Sequence, residues 1–358
     1  MQPAARARLR DLGVVTGVLP TGPLNAVTDV AGVRVGHHTL VEGEGVRTGA
    51  TVILAHPDDP YRWRVPAGMC VGNGYGKLMG ATQVVELGEL ETPVALTNTL
   101  SVPRAADALL EWTLSARGNE RVGSVNAFVG ETNDGRLNDI RARRVTAEHV
   151  LLALESAADG PVTQGSVGAG TGTMAFGFKG GIGTASRRLP GGLGGWTVGA
   201  LVQSNFGGVL QVAGMPVGIR GGRHYLRGEL AGAGAPVDPD GSIMMVLATD
   251  APLSAGSLRR LAARAMAGLA RTGAAFSNGS GDYALAFSTA ESVRRRGGSG
   301  PRRDWREVGN DDLSPLFLAA IEATEEAIYD SLCMATTVVG YRGNVGEALP
   351  LELLAPPT

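Results

Sequence analysis

A chain of 358 residues, 44% apolar and 18% charged, is long enough for one large domain or two ordinary ones with a substantial core. A net charge of −2 gives no general attraction to nucleic acid or an anionic membrane, and two cysteines exclude a disulfide framework or a zinc cluster. No apolar run reaches membrane-spanning length and the Arg-rich start has no apolar signal core, so the expected setting is the cytoplasm.

In chain order, residues 1–20 read as a loose arm. Val33 to Leu40 alternates as a strand, and "GATVILAHP" is a short apolar strand. "AGMCVGNGYGKLMG" reads as a glycine-rich loop entering a helix near Lys77, and "TPVALTNTLSV" as the next strand. Residues 103–116 have helical spacing, with Ala106, Leu109, Leu110 and Leu114 on the apolar side. "GSVNAFVGETNDGRLNDIR" is a strand ending in a polar loop, and 146–158 a helix capped by Thr146. Residues 165–208, dense in Gly, Thr and Val, read as strands joined by glycine turns. A polar stretch over 223–240 precedes the strand 243–249. Ser254 then caps a helix carrying Leu258, Leu261, Ala265, Met266 and Leu269. "NGSGDYALAFSTA" is a turn and strand, 294–306 a basic loop, and Pro315 opens a helix to about Leu332. Strands and helices alternate, but several strands follow one another directly. That pattern predicts a layered α/β protein rather than a simple doubly wound sheet.

Most chemical motifs fail on inspection. "GAGTG" at 168–172 and "GNGYG" at 72–76 lack the full dinucleotide spacing, and Gly76-Lys77 is not followed by Ser or Thr. His37, His38, His56, His149 and His224 show no helical metal-ligand pair with a nearby Glu, so structural roles and no metal are expected. The basic run 294–306 is broken by glycines and a proline and reads as a solvated loop. Cys70 and Cys333 sit in apolar surroundings and read as buried thiols. A G-x-S-x-G elbow is missing.

"PVDPDGSIMMVLATDAPL", residues 236–253, is different. A polar turn ends in Gly241-Ser242, and a buried strand begins at once. A serine after a turn is common at strand starts. The same arrangement also suits an N-terminal nucleophile released by cleavage of the Gly241–Ser242 bond. Glycine permits the distortion needed for the hydroxyl to attack the preceding carbonyl. The freed α-amine, with an ordinary pKa of about 7.7–8.0, then serves as a general base attached to the nucleophile.

The ordered set "PTGPLNAVTDVAGVRVGH", "GNGYGKLMG", "TNTLSV", "VGETNDGRLNDIR", "LVQSNFG", "DGSIMMVLATDAPL" and "NGSGDYALAFSTA" resembles the self-processing serine aminopeptidases of the DmpA and β-peptidyl aminopeptidase (BapA) family. The resemblance covers most of residues 17–290 and continues less specifically into the C-terminal helix. It implies one domain over 1–358, an αββα sandwich layered like N-terminal-nucleophile hydrolases but differently connected. It implies cleavage into an α chain, 1–241, and a β chain, 242–358, with oligomers of processed units. Ser242 matches the nucleophile and Asn205 a donor to the oxyanion hole. Ser280 and Asp282 match a Ser-x-acid pair that orients and polarises the nucleophile, with Glu in place of Asp in some members. Glu131 matches the carboxylate that receives the substrate amine. Arg136 departs from the pattern, since some relatives carry an aromatic residue there, and no role is carried to it.

The expected activity is removal of N-terminal residues from short peptides, amides or esters, without a cofactor. Two rivals are an acyltransferase of the ornithine acetyltransferase kind, whose nucleophile is usually threonine, and a non-catalytic small-molecule binding protein.

Overall fold

The computed structural model describes residues 6–231, 241–297 and 304–354. β1 (Arg34–Glu42) and β2 (Val46–Leu54) form an antiparallel hairpin. β3 (Trp63–Gly74) leaves for a second sheet and is followed by α1 (Ala81–Leu87) and the short β4 (Glu89–Leu90), which pairs with it. β5 (Val94–Asn98), α2 (Val102–Ser115) and β6 (Phe128–Thr132) return to the first sheet, where β5 and β6 run parallel; α3 (Ala147–Glu155) follows. The first sheet has four strands in the order β1-β2-β5-β6.

The second half builds the larger sheet. A small hairpin, β7 (Met174–Ala175) and β8 (Phe178–Lys179), leads into β9 (Gly181–Arg188) and β10 (Thr197–Asn205). Then come α4 (Val217–Arg220), α5 (Arg227–Ala231), β11 (Ser242–Thr249), α6 (Ala255–Arg271), β12 (Gly281–Ser288), β13 (Arg295–Arg296) and α7 (Ser314–Cys333). The larger sheet runs β13-β3-β12-β11-β10-β9, with β4 on β3 as its seventh strand.

Strand alternation explains the layering. On β11, Met244, Val246 and Ala248 join Ile53, Val94, Leu96 and Phe128 of the smaller sheet in one core. Ile243, Met245 and Leu247 point the other way, into a core with Leu258, Leu261 and Leu269 of α6 and Leu316, Ala323 and Ile328 of α7. A third core joins the remaining face of the smaller sheet to α2 and α3. The result is four layers, αββα, as expected. It accounts for the uninterrupted apolar run of β11, a strand buried on both faces. Helix and sheet approach closely: a Cβ at Gly183 would lie 1.9 Å from the carbonyl oxygen of Ala327 on α7.

Several expectations need correction. The segment read as a loose arm is anchored in its described part, from residue 6 onward. Leu9 is fully buried, Arg8 pairs with Asp330 at 2.7 Å, and Arg10 pairs with Glu326 at 2.7 Å. The cause lies on α7, which is buried along most of its length and carries Glu322, Glu326 and Asp330 inward. Buried carboxylates require partners, and the arm together with fully buried Arg187 supplies them, at 2.9 Å to Glu322 and 2.6 Å to Glu326. The second correction is "AGMCVGNGYG". Up to Gly74 it belongs to a twelve-residue strand rather than a loop, and the helix begins at Ala81 instead of near Lys77. Pairing of Cys70 with Ala284 and of Gly74 with Gly281 overrides the weak strand preference of the glycines. Cys333 is buried as expected, whereas Cys70 is half-buried. The polar stretch 223–240 is helical over α5, and residues 232–240 of it lie outside the described residues. The same holds for residues 298–303 of the basic loop, whose described part includes Arg294 bonded to Thr289 O and Asp58.

Candidate active site

Asn205 closes β10, Ser242 opens β11 and Gly281 opens β12. The register places them side by side, Asn205 opposite Ser242 and Ser242 opposite Gly281. Three residues far apart in the chain thus share one end of the central strands, ~4.8 Å from strand to strand. Asn205 and Ser242 border a cavity of about 670 Å³ whose wall also includes Gly241 and Glu131.

Ser242 is buried, and its Oγ accepts a hydrogen bond from Gly281 N at 3.2 Å. The same N–H donates to the carbonyl oxygen of Gly241 at 3.2 Å. One backbone donor therefore serves both the hydroxyl and the carbonyl of the preceding peptide bond. Sequence reasoning missed Gly281 because its contribution is a main-chain N–H, which no side-chain pattern reveals. Gly241 has a reason beyond flexibility. A Cβ there would lie 2.0 Å from Asn205 O and 2.8 Å from Phe206 Cα, so only glycine fits.

Asn205 is oriented from behind: its Oδ1 accepts from Met174 N at 2.9 Å. This fixes the amide so that Nδ2 is the donor left for the cavity. Met174 belongs to the β7–β8 hairpin, which is tied down by buried Lys179, whose Nζ donates to Gly170 O at 2.7 Å and Gly180 O at 2.8 Å. Burial lowers the Lys179 ammonium to about 7, against the opposing pull of Asp134.

Ser280 and Asp282 lie just outside the cavity wall on β12 and its entry. Ser280 Oγ donates to Asp282 Oδ1 at 2.6 Å, so the shorter acid does reach the serine. Neither side chain bonds Ser242 directly; the link between them is the Gly281 backbone. Burial lifts the Asp282 carboxyl above the usual range, opposed by the Ser280 bond, and Oδ2 has no hydrogen-bond partner among the described residues.

Glu131, on β6, is also buried. Its Oε1 accepts from Lys77 N at 2.9 Å and its Oε2 from the Thr99 hydroxyl. No ion pair among the described residues neutralises it, and its side chain lines the cavity. Asp134, three residues on, turns into the protein, where burial raises it to about 7 and Asn138 Nδ2 donates to it at 3.0 Å. The histidines pack elsewhere: His37 bonds Thr51 at 2.9 Å, His56 bonds Trp63 O at 2.7 Å, and His38 stacks on His149.

The profile of peptidase family S58 matches residues 25–346. The chain is 44% identical to the β-peptidyl aminopeptidase BapA of Sphingosinicella microcystinivorans over 360 residues, covering 96% of this chain and 89% of that protein. Among solved structures, a Burkholderia β-aminopeptidase matches with a TM-score of 0.88 at 44% identity, covering 97% of each chain. The L-aminopeptidase D-Ala-esterase/amidase of Ochrobactrum anthropi, described as a prototype of the serine aminopeptidases and a variant of the Ntn-hydrolase fold, matches with a TM-score of 0.88 at 37% identity, covering 97% of this chain and 96% of that one. Together with the four-layer fold and the assembled cavity, these matches show that the chain belongs to peptidase family S58 and is an aminopeptidase.

Proposed function

We propose that Ser242 is an N-terminal nucleophile made by the protein itself, and that the mature enzyme releases the first residue of short peptides, amides or esters. The observation that carries this reading is the Gly281 N–H shared between Ser242 Oγ and Gly241 O. Attack of Oγ on the Gly241 carbonyl carbon builds negative charge on that carbonyl oxygen, where the donor already points. The C–N bond breaks, the hydroxyl proton passes to the departing nitrogen, and an ester joins Gly241 to Ser242. Water then hydrolyses the ester, leaving the Gly241 carboxylate, a free Ser242 hydroxyl and its α-amine. β11 is paired along its length with both β10 and β12, so the new terminus is held in place when the bond is cut.

In turnover the α-amine takes the Ser242 proton as Oγ attacks the substrate carbonyl, then passes it to the leaving amine; water, deprotonated by the same amine, then hydrolyses the acyl ester, freeing the first residue and restoring the hydroxyl. Asn205 Nδ2 and Gly281 N stabilise the oxyanion. Glu131 holds the substrate ammonium, which confines cleavage to the first residue. The Ser280–Asp282 pair sets the position and polarity of the Gly281 turn beneath Ser242. The test is release of p-nitroaniline from an amino-acid p-nitroanilide. Wild-type protein is expected to release it and Ser242→Ala to lose this while keeping its circular dichroism spectrum. Undiminished release by Ser242→Ala would move the nucleophile elsewhere.

A further inference from the structure

The cavity is lined by the carboxylate of Glu131 and by the cations Lys77, Arg136, Arg223 and Arg227; Lys77 turns its ammonium onto Tyr75 O and the Tyr75 ring. Glu131 lies beside Gly76 and Lys77, the continuation of β3. Ser242 opens β11 and Asn205 closes β10. Beyond Asn205 comes the β7–β8 hairpin, where Arg223 donates to Gly177 O at 2.8 Å. Arg223 is spoken for, being paired with Glu347 and stacked on Phe178. Arg227 lies against Gly222 next to it, and both Arg227 and Arg136 line the cavity. Neither guanidinium has a hydrogen-bond or ion-pair partner among the described residues, and both side chains are exposed to solvent in the cavity mouth.

From these positions we propose that the enzyme selects short peptides with a carboxylate on the leaving-group side, received by Arg227 and Arg136. This rests on the aminopeptidase reading of Ser242 and Glu131. With the ammonium at Glu131 and the scissile carbonyl between Ser242 and Asn205, the leaving group extends toward the arginines. A cavity of about 670 Å³ has room for a dipeptide-sized ligand. Free dipeptides, or short peptides whose second residue is acidic, meet both charges at once.

The experiment compares one dipeptide as its free acid and as its C-terminal amide, with kcat/KM followed by release of the first amino acid. Both share the amine and the scissile bond. Wild type should prefer the acid by on the order of 10-fold, mostly through KM, because the contact is present before and during the reaction. Salt of about 0.5 M should shrink this preference, since the guanidinium groups are solvent-exposed. In the Arg136→Ala/Arg227→Ala double variant the acid-to-amide ratio should fall to about 1, and Arg227→Lys should restore part of it relative to Arg227→Ala. Equal use of acid and amide by wild type, or an undiminished ratio in the double variant, overturns the inference. Turnover of a p-nitroanilide with neither dipeptide cleaved also overturns it while leaving the aminopeptidase reading standing. Failure on every substrate removes that reading and this inference with it.

Discussion

Asn205 offers the sharpest perturbation of the proposed chemistry, because its two side-chain atoms have separate duties. Oδ1 accepts from Met174 N at 2.9 Å, which leaves Nδ2 as the cavity donor. Asn205→Asp keeps the acceptor and removes the donor. It also sets a negative charge where the oxyanion would form. Asn205→Ala removes both and leaves the part-buried Met174 N–H without its partner, a stability cost of about 1 kcal/mol. Loss of one oxyanion donor lowers turnover ~100–1000-fold, or about 2.7–4 kcal/mol of transition-state stabilisation. Asn205→Asp should therefore fall at least as far in kcat as Asn205→Ala. The assay is kcat and KM on an amino-acid p-nitroanilide, using protein confirmed to be cleaved, alongside urea denaturation. A loss confined to KM would refute the argument and make Asn205 a ground-state contact.

Glu131→Gln keeps the shape but loses the charge facing the cavity, so it should weaken discrimination between free-amine and des-amino substrates; equal discrimination in both proteins would remove Glu131 as the amine anchor. The raised Asp282 carboxyl should appear as an ionisation above the ordinary carboxylate range, with kcat/KM falling as pH drops through it. The Ser280 bond holds that group down, so Ser280→Ala should move this limb to higher pH, and a shift to lower pH would contradict the assignment. Arg187→Ala strands two buried carboxylates, Glu322 and Glu326, and should cost about 3–5 kcal/mol in urea-unfolding free energy; a change below about 1 kcal/mol would show that Arg10 and Asn25 suffice for Glu326.

What was legible in the sequence follows from what kind of signal each feature leaves. β11 shows itself as an unbroken apolar run because both its faces are buried, and α6 shows its stripe because one face is exposed. The N-terminal arm hid its anchoring because arginines read as solvent-facing until their buried partners, more than 300 residues away on α7, are placed beside them. β3 hid in its glycines, since only its neighbour β12 makes that segment a strand. At the site, Ser242, Asn205 and Glu131 stood out by resemblance, and the fold brings all three to one cavity. The backbone donors Gly281 and Met174 left no trace, because a main-chain N–H has no residue type. Arg223 and Arg227 were read only as part of a polar stretch, since nothing local links that loop to the ends of β10 and β11.

The central claim is that this polypeptide cuts itself between Gly241 and Ser242. Intact mass spectrometry of freshly purified protein tests it most directly. The account predicts two masses, matching residues 1–241 and 242–358, for wild type, and one uncut chain for Ser242→Ala. A single full-length mass for an active wild-type enzyme, or the same two fragments from Ser242→Ala, would contradict it.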